Sequence, residues 1–263
     1  METKSISFKK PCVALFIAGI LFALFAATRN WRAGMDFFTQ YITRPYKRGM
    51  MFVCNILPFS MAELIWALLI VFCLWYVGRS IYLIMKQKSM RVRLFLQRML
   101  GGVAIALCVY CGYTVLWGAN YYATPFETKA NLTVAAVSVE QLTATTKLFA
   151  EKVNATAKQV KRDANGVFAE DEKTIFKQSA QLYAPLEATY PFLKGPPLAA
   201  KPMLFSRLMS EINYTGFFFP FTGEANVNVQ EPGCFLPSTI AHELAHVRDI
   251  APEQTANFVA ILA

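Results

Sequence analysis

Three apolar runs, roughly Pro11 to Ala27, Phe59 to Met85 and Met99 to Trp117, constrain this chain more than any other feature. A hydrocarbon layer of about 30 Å is crossed by about 20 helical residues, and all three runs are near that length. Inside such a layer no water satisfies the backbone, so each run is expected as a helix. The first run follows Lys9 and Lys10 and could pass for the core of a signal peptide, but two more spans follow it, which favours an uncleaved anchor. With 55% hydrophobic residues and 22 Phe, the chain is too apolar for an ordinary soluble domain.

Charge divides the chain at the same place. Residues 1–118 carry 14 of the 26 Lys and Arg against three acids (Glu2, Asp36, Glu63), whereas residues 119–263 are weakly acidic. The basic excess therefore lies beside the apolar runs, where it serves topology and lipid headgroups. The lipid bilayer is the expected partner. No nucleic-acid motif is present, and no nucleic acid is expected. Lys4, Lys9 and Lys10, with Lys86, Lys88, Arg91, Arg93 and Arg98 between the second and third spans, place both segments in the cytoplasm and residues 119–263 outside. Arg29, Arg32, Arg44, Lys47 and Arg48 in the intervening loop oppose that orientation. Cys108-x-x-Cys111 has dithiol spacing but falls within the third span, where packing is the simpler role. Cys54 and Cys234 are the pair expected outside, and their spacing specifies no bridge.

Beyond Trp117 the composition changes, and Asn120-Tyr121-Tyr122 reads as an aromatic exit from the bilayer. Ser138 and Gln141 predict a capping box opening a helix with Leu142, Phe149, Val153 and Val160 on one side, ending near Asn165-Gly166. Ile175, Ser179, Leu182 and Leu186 predict a second helix that stops before Tyr190-Pro191. Residues Ile212 to Val229 read as one or two short strands. A strand at a sheet edge can pair with an extended peptide by backbone hydrogen bonds, so Phe217, Phe218, Phe219 and Glu224 are candidate cleft residues. Core or membrane-contact roles for the phenylalanines stay equally open.

The only two histidines stand four apart in His242-Glu243-Leu244-Ala245-His246. On a helix that spacing aims both imidazoles at one point, as the first two ligands of a tetrahedral zinc require. Glu243 lies close enough to take a proton from water polarised by the metal without being a ligand. The plain alternative is a surface helix with two solvated histidines. The helix is expected from Pro237-Ser238, with Ser238 as N-cap, to about Arg248. It is too short and too charged to be a span, which excludes a metal buried in the bilayer.

A catalytic zinc takes three protein ligands, and the third here must be a carboxylate. Asp249 shares the helical face of His242 but sits about 10.5 Å further along the axis, beyond the reach of its side chain. Glu253 can return to the metal if Asp249 takes a left-handed turn and Pro252 opens a second helix. Asn257, four residues on, falls on the same face and could hydrogen-bond a ligand from behind.

These residues carry a resemblance. His242 to His246, Glu253-x-x-Ala256-Asn257-Phe258 after them and Thr215 to Asn228 before them resemble uncharacterised bacterial multi-pass membrane proteins described as predicted zinc metallopeptidases. The likeness extends upstream through Leu57-Pro58-Phe59-Ser60, and more distantly the motif is similar to gluzincins, whose Glu-x-x-x-Asp is matched by Glu253 to Asn257. The resemblance implies three transmembrane helices followed by an extracytoplasmic α+β zincin-like metallopeptidase domain over residues 119–263, in a bacterial cytoplasmic membrane. It implies Zn²⁺ on His242, His246 and Glu253, Glu243 as base, and a peptide or protein substrate. Asp249 stands where similar proteins usually have Gly, and Thr255 where they often have Glu, so the third-ligand case rests on Glu253. The chain stops at Ala263 within an apolar helix while similar proteins continue, so a fragment is expected and a transition-state stabiliser would be sought beyond it. The competing expectation is a non-catalytic, membrane-anchored binding or scaffolding protein.

Overall fold

A computed structural model describes residues 6–263, apart from the side chain of Lys88. Glu2 and Lys4 lie outside the described residues. The chain divides into two compact units, residues 1–124 with 219–224, and residues 125–218 with 225–263.

In the first unit, α1 (Lys9–Thr28), α4 (Met61–Lys86) and α5 (Arg91–Leu116) are long and apolar enough to cross a membrane. Most of their large apolar side chains face outward, among them Phe16, Leu24, Leu68, Leu74 and Val109. That arrangement is unfavourable in water and natural in lipid. Between α1 and α4 the chain forms α2 (Arg32–Phe38), a π-helical turn over Thr39–Thr43 and α3 (Arg44–Cys54). The N-terminus of α4 is fully capped. Ser60 Oγ accepts the Glu63 N–H at 3.1 Å, and the Glu224 carboxylate accepts those of Met61 and Ala62 at 3.2 and 3.0 Å. Glu224, expected among the candidate cleft residues, is 2% exposed, with both carboxylate oxygens engaged at this helix start.

The second unit opens with the short α6 (Phe126–Lys129) and α7 (Val139–Thr156). The Ser138–Gln141 capping box of α7 is present. Its helix ends at Thr156 rather than near Asn165-Gly166, and none of its residues is buried, so the stripe of Leu142, Phe149 and Val153 faces outward. The expected single helix around Ile175 is two, α8 (Glu172–Ser179) and α9 (Ala184–Thr189). The break between them lowers Tyr183 into the core, where it is 0% exposed. After β1 (Lys201–Pro202) and α10 (Ser206–Glu211) come β2 (Gly216–Phe219) and β3 (Glu224–Val227). The sheet order is β1-β3-β2, with β1 parallel to β3 through Lys201↔Asn226 and Pro202↔Val227, so β2 lies at an edge. Gly223, at φ +72°, makes the turn between β2 and β3. Finally α11 (Leu236–Val247) and α12 (Glu253–Leu262) pack on the core around Tyr183, Leu193, Val227, Ile240, Leu244 and Val259. None of the six cysteines is in a disulfide.

Candidate metal centre

The helix α11 begins one residue earlier than its sequence suggests, with Pro237 in its first turn, where a missing N–H costs nothing. Ser238 is not its cap. The Ser238 hydroxyl instead donates back to the Phe235 carbonyl at 2.8 Å. Ile240 and Leu244 anchor α11 in the core, which leaves His242 and His246 together on its other side. The helix ends at Val247 with Arg248 as its C-cap, and Asp249 then takes a left-handed conformation with φ +68°. Short polar Asp is among the few residues that adopt this turn readily. Pro252 stands as the N-cap of α12, and Glu253 is the first helical residue.

His242, His246 and Glu253 converge there, with one ligand atom from each lying within 4.8 Å of the others. The two Nε2 atoms are 3.1 Å apart, and the Glu253 carboxylate oxygens stand 3.0 Å from His242 Nε2 and 3.6 Å from His246 Nε2. The edge of a tetrahedron around zinc, with ligands at 2.0–2.1 Å, is about 3.3 Å. His246 Nδ1–H donates to the Ile250 carbonyl at 2.6 Å, and His242 Nδ1–H to Asn257 Oδ1 at 2.8 Å. With both Nδ1 atoms donating, both neutral rings present lone pairs at Nε2, toward each other and toward a carboxylate. Three acceptors at such spacing repel unless they share a cation. A proton bridges two of them; a metal ion bridges three. Burial holds the His246 pKa below its ordinary value, which favours the neutral ring that a metal requires.

Glu243 faces the other way from solvent. It is 4% exposed, and its Oε2 is buried with no hydrogen-bond partner in the described structure. Burial, reinforced by the carboxylates of Glu253 and Glu231, pushes its pKa up to about 8, while the Phe218 backbone N–H opposes the shift. The strand β2 can come this close because residue 216 is glycine. A Cβ there would fall 2.8 Å from Glu243 Oε1 and 3.0 Å from the Asn226 carbonyl. Phe217 and Phe218 are half-buried, while Phe219 stacks near Trp66 and Phe221 at 6.3 and 5.4 Å, so its ring serves packing in the first unit.

Glu231, Tyr183 and Glu187 escaped the sequence reading, and Gly216 was read only as part of the strand region. Gly216 carried the weak signal of a glycine at the start of a strand. Tyr183 and Glu187 are distant in sequence from the histidine motif and join its surroundings only in three dimensions, while Glu231 precedes the motif closely but shares no helical spacing with it.

No curated protein and no solved structure matches this chain significantly. A family of proteins of unknown function, DUF3810, matches residues 38–263, and its description names no activity. That match runs from the end of α2 through the histidine helix to residue 263, so the protein belongs to the DUF3810 family.

Proposed function

We propose that this protein is a membrane-anchored, zinc-dependent metallopeptidase with a zincin-like, gluzincin-type domain outside the cytoplasm. The observation that carries the reading is the convergence of His242, His246 and Glu253 beside a buried glutamate with an orphaned oxygen. Zinc bound by such a set lowers the pKa of water to about 7 and polarises a carbonyl. Glu243 then accepts the proton of the attacking water and passes it to the leaving amine. Without a metal, burial keeps this carboxyl protonated near neutrality; a divalent cation beside it favours the carboxylate a base requires. Asn257 and the Ile250 carbonyl hold the two imidazoles so that their Nε2 atoms face the metal. The place of β2 at the sheet edge supports an extended polypeptide as substrate, which could add alongside it through backbone hydrogen bonds.

The test measures zinc content and peptide hydrolysis on the purified full chain and its Glu243→Gln variant. About one zinc per chain is expected in both, with hydrolysis lost by about 10²–10⁴-fold in the variant. Retained activity in zinc-loaded Glu243→Gln overturns the assignment of the base. Zinc without turnover in the wild type points to a binding module. A reporter fused after Asn120 is expected to read external, and a cytoplasmic readout there inverts the orientation.

A further inference from the structure

On the side of α11 away from the histidines, Arg248 ties the end of that helix to α9 and to the α8–α9 break. Arg248 is 6% exposed. Its Nε and Nη2 donate to a single Glu187 oxygen at 3.2 and 2.8 Å, and its Nη1 donates to the Leu244 carbonyl at 3.1 Å. The guanidinium lies 4.0 Å from the centre of the Tyr183 ring. Tyr183 itself donates its hydroxyl to the Ala241 carbonyl at 2.7 Å. The same Glu187 oxygen accepts the Gly195 N–H at 3.1 Å, and a Cβ at Gly195 would stand 3.3 Å from the guanidinium.

Two backbone carbonyls of α11 are thus held by side chains: that of Ala241 by Tyr183 from outside the helix, and that of Leu244 by Arg248 at the helix's own C-cap, which is itself tied to Glu187. The first immediately precedes His242, and the second is two residues before His246. A helix is free to turn about its axis unless something holds it. Rotation by about 10° swings an imidazole nitrogen, about 7 Å from the axis, through roughly 1 Å. Metal–ligand distances tolerate only about 0.2 Å. Arg248 also directly precedes the left-handed Asp249, so the same grip sets the departure of the chain toward Ile250 and Glu253. Stability alone is a poor account of the pair, because a buried ion pair is often no better than apolar packing of similar volume.

We propose that Tyr183, Arg248 and Glu187 are positioning residues of the metal centre, fixing the rotation and last turn of α11 so that His242, His246 and Glu253 meet. The inference rests on the zinc reading. Its test titrates the full chain with Co²⁺ and follows the d–d absorption, in the wild type and in Arg248→Lys, Glu187→Gln and Tyr183→Phe. Arg248→Lys keeps the charge but loses the fork, and is expected to weaken Co²⁺ binding by roughly tenfold or more with an altered band. Tyr183→Phe and Glu187→Gln are expected to lose less, in the same direction. A lowered melting temperature with wild-type affinity and band in all folded variants makes the network merely structural and overturns the proposal. Should Arg248→Lys fail to fold, the other two variants decide by the same criterion. A wild type that gives no cobalt band overturns the zinc reading and this inference with it, whereas a wild-type band unmoved by the variants overturns this inference alone.

Discussion

Glu224 and Glu243 are buried to almost the same degree, 2% and 4% exposed, yet the regions that hold them treat a carboxylate in opposite ways. At the start of α4, Glu224 meets two backbone N–H groups that a helix always leaves unsatisfied, and the helix dipole favours its charge. Along α11, Glu243 meets two other carboxylates and one backbone N–H, and its Oε2 has no hydrogen-bond partner among the described residues. One site stabilises a negative charge within the fold. The other leaves it dependent on something added. A buried polar group that costs stability and gains no internal partner marks the place where chemistry is expected, and the contrast identifies which of two equally buried glutamates to test first.

The comparison breaks most visibly at the metal ligands. Glu253→Ala is expected to reduce zinc affinity by about 10²-fold or more, read by competition with a chelating dye, because two histidines alone leave an open, weak site. Should Asp249→Gly abolish zinc binding while Glu253→Ala keeps it, the assignment of the third ligand is wrong. At the other glutamate, Glu224→Gln is expected to cost on the order of 2 kcal/mol in thermal or denaturant stability, with zinc affinity unchanged. A drop in zinc affinity there would erase the distinction between the two regions.

Glu243→Gln sharpens the contrast through pH. In the metal-free protein the folded-state pKa of about 8 lies above the ordinary 4.5, so the folded state holds this proton more tightly. Its contribution to stability is therefore fully present below about 4.5 and is lost as pH rises through 8. The Gln variant lacks that slope. Metal-free Glu243→Gln is expected to be more stable than the wild type by on the order of 2 kcal/mol at pH 8, with the gap closing toward pH 5. A pH-independent difference in denaturant midpoint would show that Glu243 is not held neutral. The smallest effect belongs to Asp249→Gly, which relieves a left-handed φ and is expected to change stability by less than about 1 kcal/mol while zinc binding persists.

Local pattern made some of this legible in advance. The capping box at Ser138 and Gln141 depends on residues three apart, and it stands where its spacing places it. Ser238 shows the limit of the same logic. A cap-type residue beside a proline predicts a helix start, but the helix begins at Leu236, one residue before that proline, and the hydroxyl turned back to Phe235. The apolar stripe of α7 is just as regular as a core-facing one and is exposed all the same, because periodicity says that a face is apolar without saying what meets it. Phe219 was legible only as an aromatic near the motif; its packing on Trp66 involves a residue more than 150 positions away.

What the sequence determined by itself is what rests on chemistry repeated along a helix or over one or two turns. Three apolar runs of membrane-crossing length are of that kind, and so are two histidines sharing one helical face, with a left-handed Asp249 permitting the chain to return toward Glu253. Tertiary structure alone decided the rest. It sent Glu224 to the first amides of α4, placed Gly216 against the Glu243 carboxyl, and set Tyr183, Glu187 and Arg248 behind the histidine helix. The physical reason is range. Backbone periodicity, capping and turn geometry act between residues a few positions apart, whereas burial, a shared hydrogen-bond acceptor or a van der Waals gap the width of a Cβ is defined only once distant segments are packed together.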